Sequence, residues 1–131
     1  MYALDTNTLI YFFKGEGNVA GHLLEKPPTE IAIPAVVQYE IETGIAKSKY
    51  RKEKYQQFYE LLEVVQVLPF DREAATISAS VRAQLEKLGP PIGPYDILIA
   101  GTALANNAIL VSHNTNEFSR IKKLEVEDWY D

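Results

Sequence analysis

Five short apolar runs, separated by longer segments with helical periodicity, constrain the fold of this chain more than any other feature. The runs are Met1–Leu4, Glu30–Ile33, Val64–Leu68, Ala108–Val111 and Leu124–Val126. They are too apolar to keep one face in water, which is typical of strands in a parallel sheet that is covered on both faces. Strands that alternate with helices favour the α/β class. The sequence therefore predicts a three-layer α/β/α fold, in which a central parallel sheet carries helices on both faces.

The intervening segments are predicted to be helical from the spacing of their apolar residues. They are Thr8–Lys14, Asn18–Lys26, Pro34–Ile45, Tyr50–Glu63, Arg72–Leu88 and Ile97–Ala105. Asp71 is placed to cap the helix that follows it, and Pro34 can lie in a first helical turn, where its missing N–H costs nothing. A helical Gly costs about 1 kcal/mol relative to Ala. Gly101 is therefore expected to permit a close approach of the backbone to the sheet.

The helix from Tyr50 to Glu63 carries an aromatic stripe that is expected to face the core rather than to form a ligand site. Its members recur at helical spacing and are Tyr55, Phe58, Tyr59 and Leu62. This interpretation assigns a packing role to all four side chains.

Length and composition indicate a single domain without disulfides. The chain has 131 residues and no cysteine, so residues 1–131 are expected to form one domain, and neither thiolate chemistry nor Cys-ligated zinc is available. The sequence contains no signal-peptide pattern and no apolar stretch of transmembrane length. We therefore expect a soluble, cytoplasmic protein with no membrane partner.

The distribution of charge leaves nucleic-acid binding open. Thirteen basic and 18 acidic residues give a formal net charge of −5, which argues against broad electrostatic binding to nucleic acid. Two local runs are nevertheless basic, Lys47–Lys54 and the group Arg120, Lys122 and Lys123. Each run is either a solvated helix face or a contact for a phosphate backbone.

The first apolar run ends at Asp5, which is followed by Thr6 and Asn7. In an open α/β sheet, an Asp that leaves the carboxyl end of a buried strand points into the crevice where such folds bind ligands. Either Asp5 or Asn7 could instead simply cap the next helix. The positions of the other acids distinguish these alternatives.

Four acids lie where a sheet of this class would bring them together. They are Asp5, Glu40 after the second strand, Asp96 at the start of the apolar helix, and Glu117 after the strand that ends at Val111. Carboxylates held close together repel one another unless a cation neutralises them. Oxygen ligands without Cys or His select Mg²⁺ or Mn²⁺, and such an ion commonly serves phosphoryl chemistry.

Simpler interpretations remain for several of these residues. Glu40 could be a solvent-facing helix residue, and Asp96 is also favoured by the helix dipole. His22 and His113 have no partner pattern, and Ser112 lacks an identifiable base. A nucleophilic-serine mechanism is therefore not favoured.

Four ordered pieces of the chain resemble the PIN domain of VapC-type toxins. These pieces are Leu4–Asn7, Tyr39–Ile41 with Gly44, Ile92–Ala100, and Asn114–Arg120 followed by Leu124–Trp129. The resemblance extends over essentially the whole chain, with the pieces in the same order. The resemblance implies a PIN-like fold and a metal-dependent endoribonuclease that cleaves RNA as the toxin of a type II toxin-antitoxin pair. It also implies a cognate antitoxin and a homodimer.

The resemblance assigns roles residue by residue. The family's three acids correspond here to Asp5, Glu40 and Asp96. Thr6 matches a small hydroxyl residue that supports the first acid. Asn114 stands where many members have a fourth acid, and Glu117 from the same loop could substitute. The resemblance thus implies that the three acids hold one Mg²⁺ or Mn²⁺, while Glu117 helps to hold a second ion or positions water.

Two other functions stay open from the sequence. A PIN-fold binding module without catalysis is suggested only by Asn114. A Mg²⁺-binding phosphoacceptor signalling domain would need an acid pair after the first strand and a mid-chain Asp at a strand exit. The chain has Pro34 and Pro69 at the candidate exits, which disfavours the signalling domain.

Overall fold

The computed structural model describes all residues, 1–131, and contains one parallel sheet. Its strands are β1 (Tyr2–Leu4), β2 (Ile31–Pro34), β3 (Gln66–Leu68), β4 (Ile109–Val111) and β5 (Val126–Glu127). Every pairing is parallel, and the spatial order is β3-β2-β1-β4-β5. Tyr2 lies in register with Ile31 on one side and Ile109 on the other. The predicted parallel sheet is confirmed.

Seven α-helices connect and cover the strands. They are α1 (Thr6–Lys14), α2 (Val19–Leu24), α3 (Ala35–Ala46), α4 (Arg51–Leu62), α5 (Arg72–Leu88), α6 (Pro94–Ala105) and α7 (Thr115–Phe118). Right-handed crossovers place α1 to α4 on one face of the sheet and α5 to α7 on the other. In agreement, α3 packs against α1 and α4, and α5 packs against α6. None of these helices has the length and hydropathy that a bilayer-spanning segment requires.

The three central strands form the middle of the core, whereas β3 lies at an edge. Ala3, Leu4, Leu110 and Val111 are completely buried, because β1 and β4 have strands on both sides and helices above and below. The predicted strand Val64–Leu68 was too long and too buried. It begins at Gln66, and only Leu68 is buried, because an edge strand has a neighbour on one side alone.

Gly101 makes a close approach, but the expectation that it approaches the sheet is wrong. A Cβ on Gly101 would lie 1.8 Å from Ser78 Oγ and 3.0 Å from Ser78 Cα, and Ser78 belongs to α5. The contact is therefore between α5 and α6 on one face of the sheet. Small residues at a helix crossing allow the two backbones to pack closely, and periodicity along one helix does not reveal its partner.

Several predicted element boundaries shift by a few residues. Pro34 ends β2 and precedes α3 with extended backbone angles (φ −57°, ψ 142°), so it does not lie in the helical turn. The apolar helix begins earlier than predicted, at Pro94, and the last strand occupies Val126–Glu127. Asp71 caps α5 as predicted, because its Oδ1 accepts from the Ala74 N–H at 3.0 Å.

The aromatic stripe of α4 is only partly a core feature. Phe58 is 1% exposed, but Tyr59 is 44% exposed and Tyr55 is half-buried. Tyr59 instead donates its hydroxyl to Glu42 Oε1 of α3 at 2.7 Å. The prediction that the whole stripe faces the core is therefore wrong for Tyr59, which contacts α3 at the surface.

Candidate active site

The acidic residues gather at the carboxyl edge of the sheet, where β1 lies between β2 and β4. The chain leaves β1 toward β2 and later returns to the other side of β1 as β4. Such a switch point opens a crevice beyond the strand ends. Asp5 follows β1 directly, and its N–H donates to the Val111 carbonyl of β4 at 3.1 Å. The first predicted acid therefore stands at the bottom of this crevice.

Asp5 both caps a helix and belongs to the acidic group. Its Oδ1 accepts from the Thr8 N–H at 2.9 Å at the start of α1. The residue is 4% exposed, and burial raises the pKa of its carboxyl above the usual value, although hydrogen bonding to Ser112 and Thr8 opposes this rise. Capping fixes the orientation of the side chain, so the two interpretations of Asp5 are compatible.

Asp96 lies in the first turn of α6, which begins with Gly93 as the cap and Pro94 as the first helical residue. Burial raises the pKa of Asp96 to about 6, and repulsion by Asp5, Glu40 and Glu117 adds to this shift. These three carboxylates are the other members of the predicted group. Asp5, Glu40 and Glu117 thus lie near enough to Asp96 for their charges to act on its carboxyl.

Glu40 is oriented by a residue that the sequence assigned to a different partner. The Thr6 hydroxyl donates to Glu40 Oε1 at 2.6 Å. The resemblance implied that Thr6 supports Asp5, but the bond joins the first residue of α1 to α3, which the chain reaches 34 residues later. Thr6 therefore connects the first two acids of the group, with its backbone next to one and its hydroxyl on the other.

Asn114 and Glu117 occupy the same loop and differ in what they contact. Asn114 is exposed, and its side chain makes no capping bond to α7. Its backbone N–H donates to Ser112 Oγ at 3.0 Å. Glu117 is half-buried and is one of the carboxylates that raise the pKa of Asp96. This arrangement favours Glu117 over Asn114 as the fourth acid.

Three residues near the site were given no role from the sequence. Ser112 is completely buried and lies near enough to Asp5 to lower the pKa of its carboxyl. His113 Nδ1 lies 2.9 Å from Asp128 Oδ2, and the charge of Asp128 also raises the pKa of Asp5. Asp128 and Asp5 are far apart in the chain and share no motif, so no sequence signal could have linked them.

His113 also belongs to a group of possible metal ligands with Asp128 and Asp131, whose ligand atoms lie within 4.8 Å of one another. His113 and Asp131 are exposed. The group thus lacks the burial that holds Asp5 rigid.

The donor chemistry of the four-acid group fits a hard divalent cation. The charges of Asp5, Glu40 and Glu117 act unfavourably on ionised Asp96, and a bound cation would remove that repulsion. All four side chains offer oxygen ligands, the type that Mg²⁺ and Mn²⁺ prefer.

A cavity of about 370 Å³ opens beside the acidic group between α1, α3 and α4. Its lining includes Glu40, the apolar side chains Phe13 and Phe58, and the cations Lys14 and Lys54. The cavity therefore presents positive charge next to one of the acids, although the protein as a whole is acidic.

The chain matches one protein family and a set of full-length relatives. The family model described as the PIN domain matches residues 2–124. The tRNA(fMet)-specific endonuclease VapC of Shigella flexneri is 32% identical over 128 residues, which is 98% of this chain and 97% of the relative. Ribonuclease VapC2 of Rickettsia felis is 33% identical over 131 residues, covering 98% of each chain.

Solved structures show the same fold. The crystal structure of VapBC2 from Rickettsia felis, bound to a DNA fragment from its promoter, contains a chain with a TM-score of 0.90 and 33% identity, and 98% of each chain is covered. DNA-bound VapBC from Salmonella typhimurium gives a TM-score of 0.90 and 30% identity, covering 98% of this chain and 97% of that one. The structural similarity spans nearly the whole chain.

Proposed function

The chain belongs to the PIN domain family and, within it, to the VapC ribonucleases, and on this premise we propose that it is a metal-dependent endoribonuclease that acts as the toxin of a toxin-antitoxin pair. The observation that carries the proposal is the convergence of Asp5, Glu40 and Glu117 on Asp96. Residues 1–131 would form a single PIN domain.

In this proposal Asp5, Glu40 and Asp96 hold one Mg²⁺ or Mn²⁺, and Glu117 helps to hold a second ion or positions water. A bound ion supplies a Lewis acid that polarises the phosphate and lowers the pKa of the attacking water. The protein supplies charged ligands in fixed positions. The hydrogen bond from the Thr8 N–H, for example, fixes the orientation of the Asp5 carboxylate.

Other interactions in the site act on Glu40 and Asp96. The Thr6 hydroxyl orients Glu40. The raised pKa of Asp96 reflects burial first and then repulsion by the other carboxylates, which a cation would relieve. Asn114 keeps a supporting role, because its N–H holds the Ser112 hydroxyl beside Asp5.

The proposed substrate is RNA, and the proposed partner is a cognate antitoxin. The ribonuclease names of the relatives support RNA, and the VapBC complexes among the structural neighbours support an antitoxin. Lys14 and Lys54 beside Glu40 give local positive potential for an RNA backbone despite the net charge. We further propose a homodimer that acts in the cytoplasm, where RNA is available.

The two alternatives are weakened to different degrees. The phosphoacceptor signalling domain is wrong, because the chain belongs to a nuclease family. The binding module without catalysis rested on Asn114, and the approach of Glu117 to Asp96 from the same loop supports a complete acidic set.

Cleavage of defined RNAs by the purified protein tests the proposal. Total RNA and initiator tRNA would be incubated in Mg²⁺, in Mn²⁺ and in EDTA, followed by mapping of the new RNA ends. Initiator tRNA is included because the Shigella flexneri relative is named for it. We expect discrete cuts that require the divalent ion and disappear in Asp96→Asn. Absence of cleavage in both ions, or equal cleavage in EDTA, would refute the proposal.

A further inference from the structure

Two exposed tyrosines stand next to the acidic group and have no part in the core. Tyr39 on α3 is 53% exposed, and Tyr95 in the first turn of α6 is 43% exposed. Their ring centroids are 5.6 Å apart with the planes tilted by 59°, and their hydroxyl oxygens are 3.3 Å apart. The pair therefore joins two helices at the surface and leaves aromatic faces open to solvent.

Each tyrosine of the pair is adjacent in the chain to one of the four acids. Tyr39 precedes Glu40, and Tyr95 precedes Asp96. The two rings therefore stand at the edge of the acidic crevice.

Stability alone gives little reason for this arrangement. Exposed tyrosines that pack on each other bury less apolar area than they would in the core. Their hydroxyl bond is exposed to water, where its net contribution is small. A pair of open aromatic faces beside a polar site is better explained by a ligand that has flat faces of its own.

Single-stranded RNA has such faces, and the electrostatics of the site make them useful. The four acids repel the phosphate backbone except where a cation neutralises them. Stacking of a base on an aromatic ring provides attraction that does not depend on charge, because every base has a π-face. Binding through a base can therefore offset part of the repulsion at the backbone.

We propose that Tyr39 and Tyr95 form a base-stacking platform, which holds an unpaired nucleobase of the RNA substrate next to the acidic group. This inference rests on the proposed ribonuclease function and adds the contact that positions the RNA. A base must leave its own stack to reach the platform, so the site selects single-stranded or splayed nucleotides over continuous duplex.

Binding measurements in a cleavage-deficient protein test the platform separately from catalysis. Each tyrosine variant would be made in the Asp96→Asn background, and the affinity for a fluorescent 12-nucleotide oligoadenylate would be measured by anisotropy in Mg²⁺. The same measurement with an abasic oligomer of equal length and charge reports the backbone contribution alone.

Tyr59→Ala is the matched control. Tyr59 is 44% exposed and its hydroxyl is also hydrogen-bonded, but to Glu42 on the outside of α3 and not to a residue that adjoins one of the four acids in the chain. Removal of this ring changes exposed aromatic area to the same degree as removal of Tyr95. Tyr95→Phe is the conservative variant that keeps the ring and loses the hydroxyl.

We expect Tyr95→Ala to weaken oligoadenylate binding by at least about fivefold, the lower end of the range for one stacked base. Tyr95→Phe should remain within about twofold of its parent, and Tyr39→Ala should also weaken binding. Tyr59→Ala should have no effect. The abasic oligomer should bind all variants equally, since it has no base to stack.

Three results would overturn the inference. They are an unchanged affinity in Tyr95→Ala, an equal loss in Tyr59→Ala, or an equal loss for the abasic oligomer. Light scattering on the same samples supplies a fourth: a change of oligomeric state in Tyr39→Ala or Tyr95→Ala without a change of RNA affinity would make the pair a protein interface. If the unmodified protein cleaves no RNA at all, the proposed function is refuted. If it cleaves RNA but the tyrosine variants bind RNA as their parent does, only the stacking platform is refuted.

Discussion

The two halves of α6 serve opposite purposes within one helix. Its first turn carries Asp96, whose pKa is raised to about 6 by burial and by the charges of three other carboxylates. Its second half contains Gly101, which packs so closely on Ser78 that a Cβ would collide with the hydroxyl. One half faces like charges that repel, and the other half is mostly buried and tightly packed.

The difference shows how the protein can tolerate an unfavourable site. Repulsion among carboxylates destabilises the folded state without metal, and the unfolded chain does not have this repulsion. Close packing of α5 against α6 contributes stability that does not depend on the charges. If this division is correct, changes in the first turn should alter activity and metal response, whereas changes near Gly101 should alter stability.

The largest expected effect is the loss of RNA cleavage in Asp96→Asn. The amide keeps the shape of the side chain but removes the charge, and a metal contributes several kcal/mol of transition-state stabilisation. We expect cleavage to fall by at least about a hundredfold while the circular dichroism spectrum stays unchanged. Glu73→Gln, at an exposed acid in the first turn of α5, should cleave like the parent. Cleavage by Asp96→Asn at the parent's rate would contradict the assignment.

Gly101→Ala should destabilise the protein without changing the chemistry of the site. The added methyl group overpacks the α5 contact, which typically costs about 1 to 3 kcal/mol and lowers the melting temperature by roughly 3 to 10 °C. Gly21→Ala on α2 is the control, because a Cβ there has no atom within 4 Å. It should be neutral or stabilising by up to about 1 kcal/mol. Equal melting temperatures in the two variants would show that the close approach does not limit packing.

Glu117→Gln should lower cleavage more than Asn114→Ala. Of these two residues, only Glu117 carries a charge that acts on Asp96. Loss of this charge should reduce the cleavage rate by about tenfold, which corresponds to an increase of roughly 1.4 kcal/mol in the activation free energy. Initial rates with the same RNA and saturating Mg²⁺ measure both variants. Similar losses, or a larger one in Asn114→Ala, would return the fourth position to Asn114.

Mg²⁺ should stabilise the parent and have little effect on Asp96→Asn. At ten times the dissociation constant, binding to the folded state alone contributes about 1.4 kcal/mol, or roughly 3 to 6 °C in melting temperature. In EDTA the variant should be the more stable protein, since it has one repelling charge fewer. Thermal melts at constant ionic strength check this, because salt screening would otherwise imitate binding. An equal response to Mg²⁺ in both proteins would mean that the acids do not form one metal site.

The smallest expected effect is a pH dependence of stability in EDTA. The pKa of Asp96 is raised in the folded state to about 6, so the folded state binds a proton more tightly than the unfolded state. The resulting stabilisation is present at low pH and is lost as the pH rises through about 6. The melting temperature of the parent should therefore fall, relative to Asp96→Asn, between pH 5 and pH 7. Asp5 also has a raised pKa, so the difference between the two proteins reports on Asp96 and on its coupling to Asp5.

The sequence by itself determined the class of the fold and predicted the members of the acidic group. Apolar runs such as Ala108–Val111 identify buried strands because burial on both faces leaves no polar positions. Once the sheet is parallel, its carboxyl ends meet at one edge, so Asp5 and Glu117 must approach each other whatever the details of packing. These inferences need only local patterns and one rule of topology.

The tertiary structure decided which residues touch. Three contacts join different helices. They are the hydrogen bond from Thr6 to Glu40, the close approach of Gly101 to Ser78, and the Tyr39–Tyr95 pair. Periodicity tells which side of a helix is apolar, but the partner across that side depends on the angle and depth at which two helices pack. Such contacts are set by the shape of both surfaces together, and neither segment of the sequence contains that information alone.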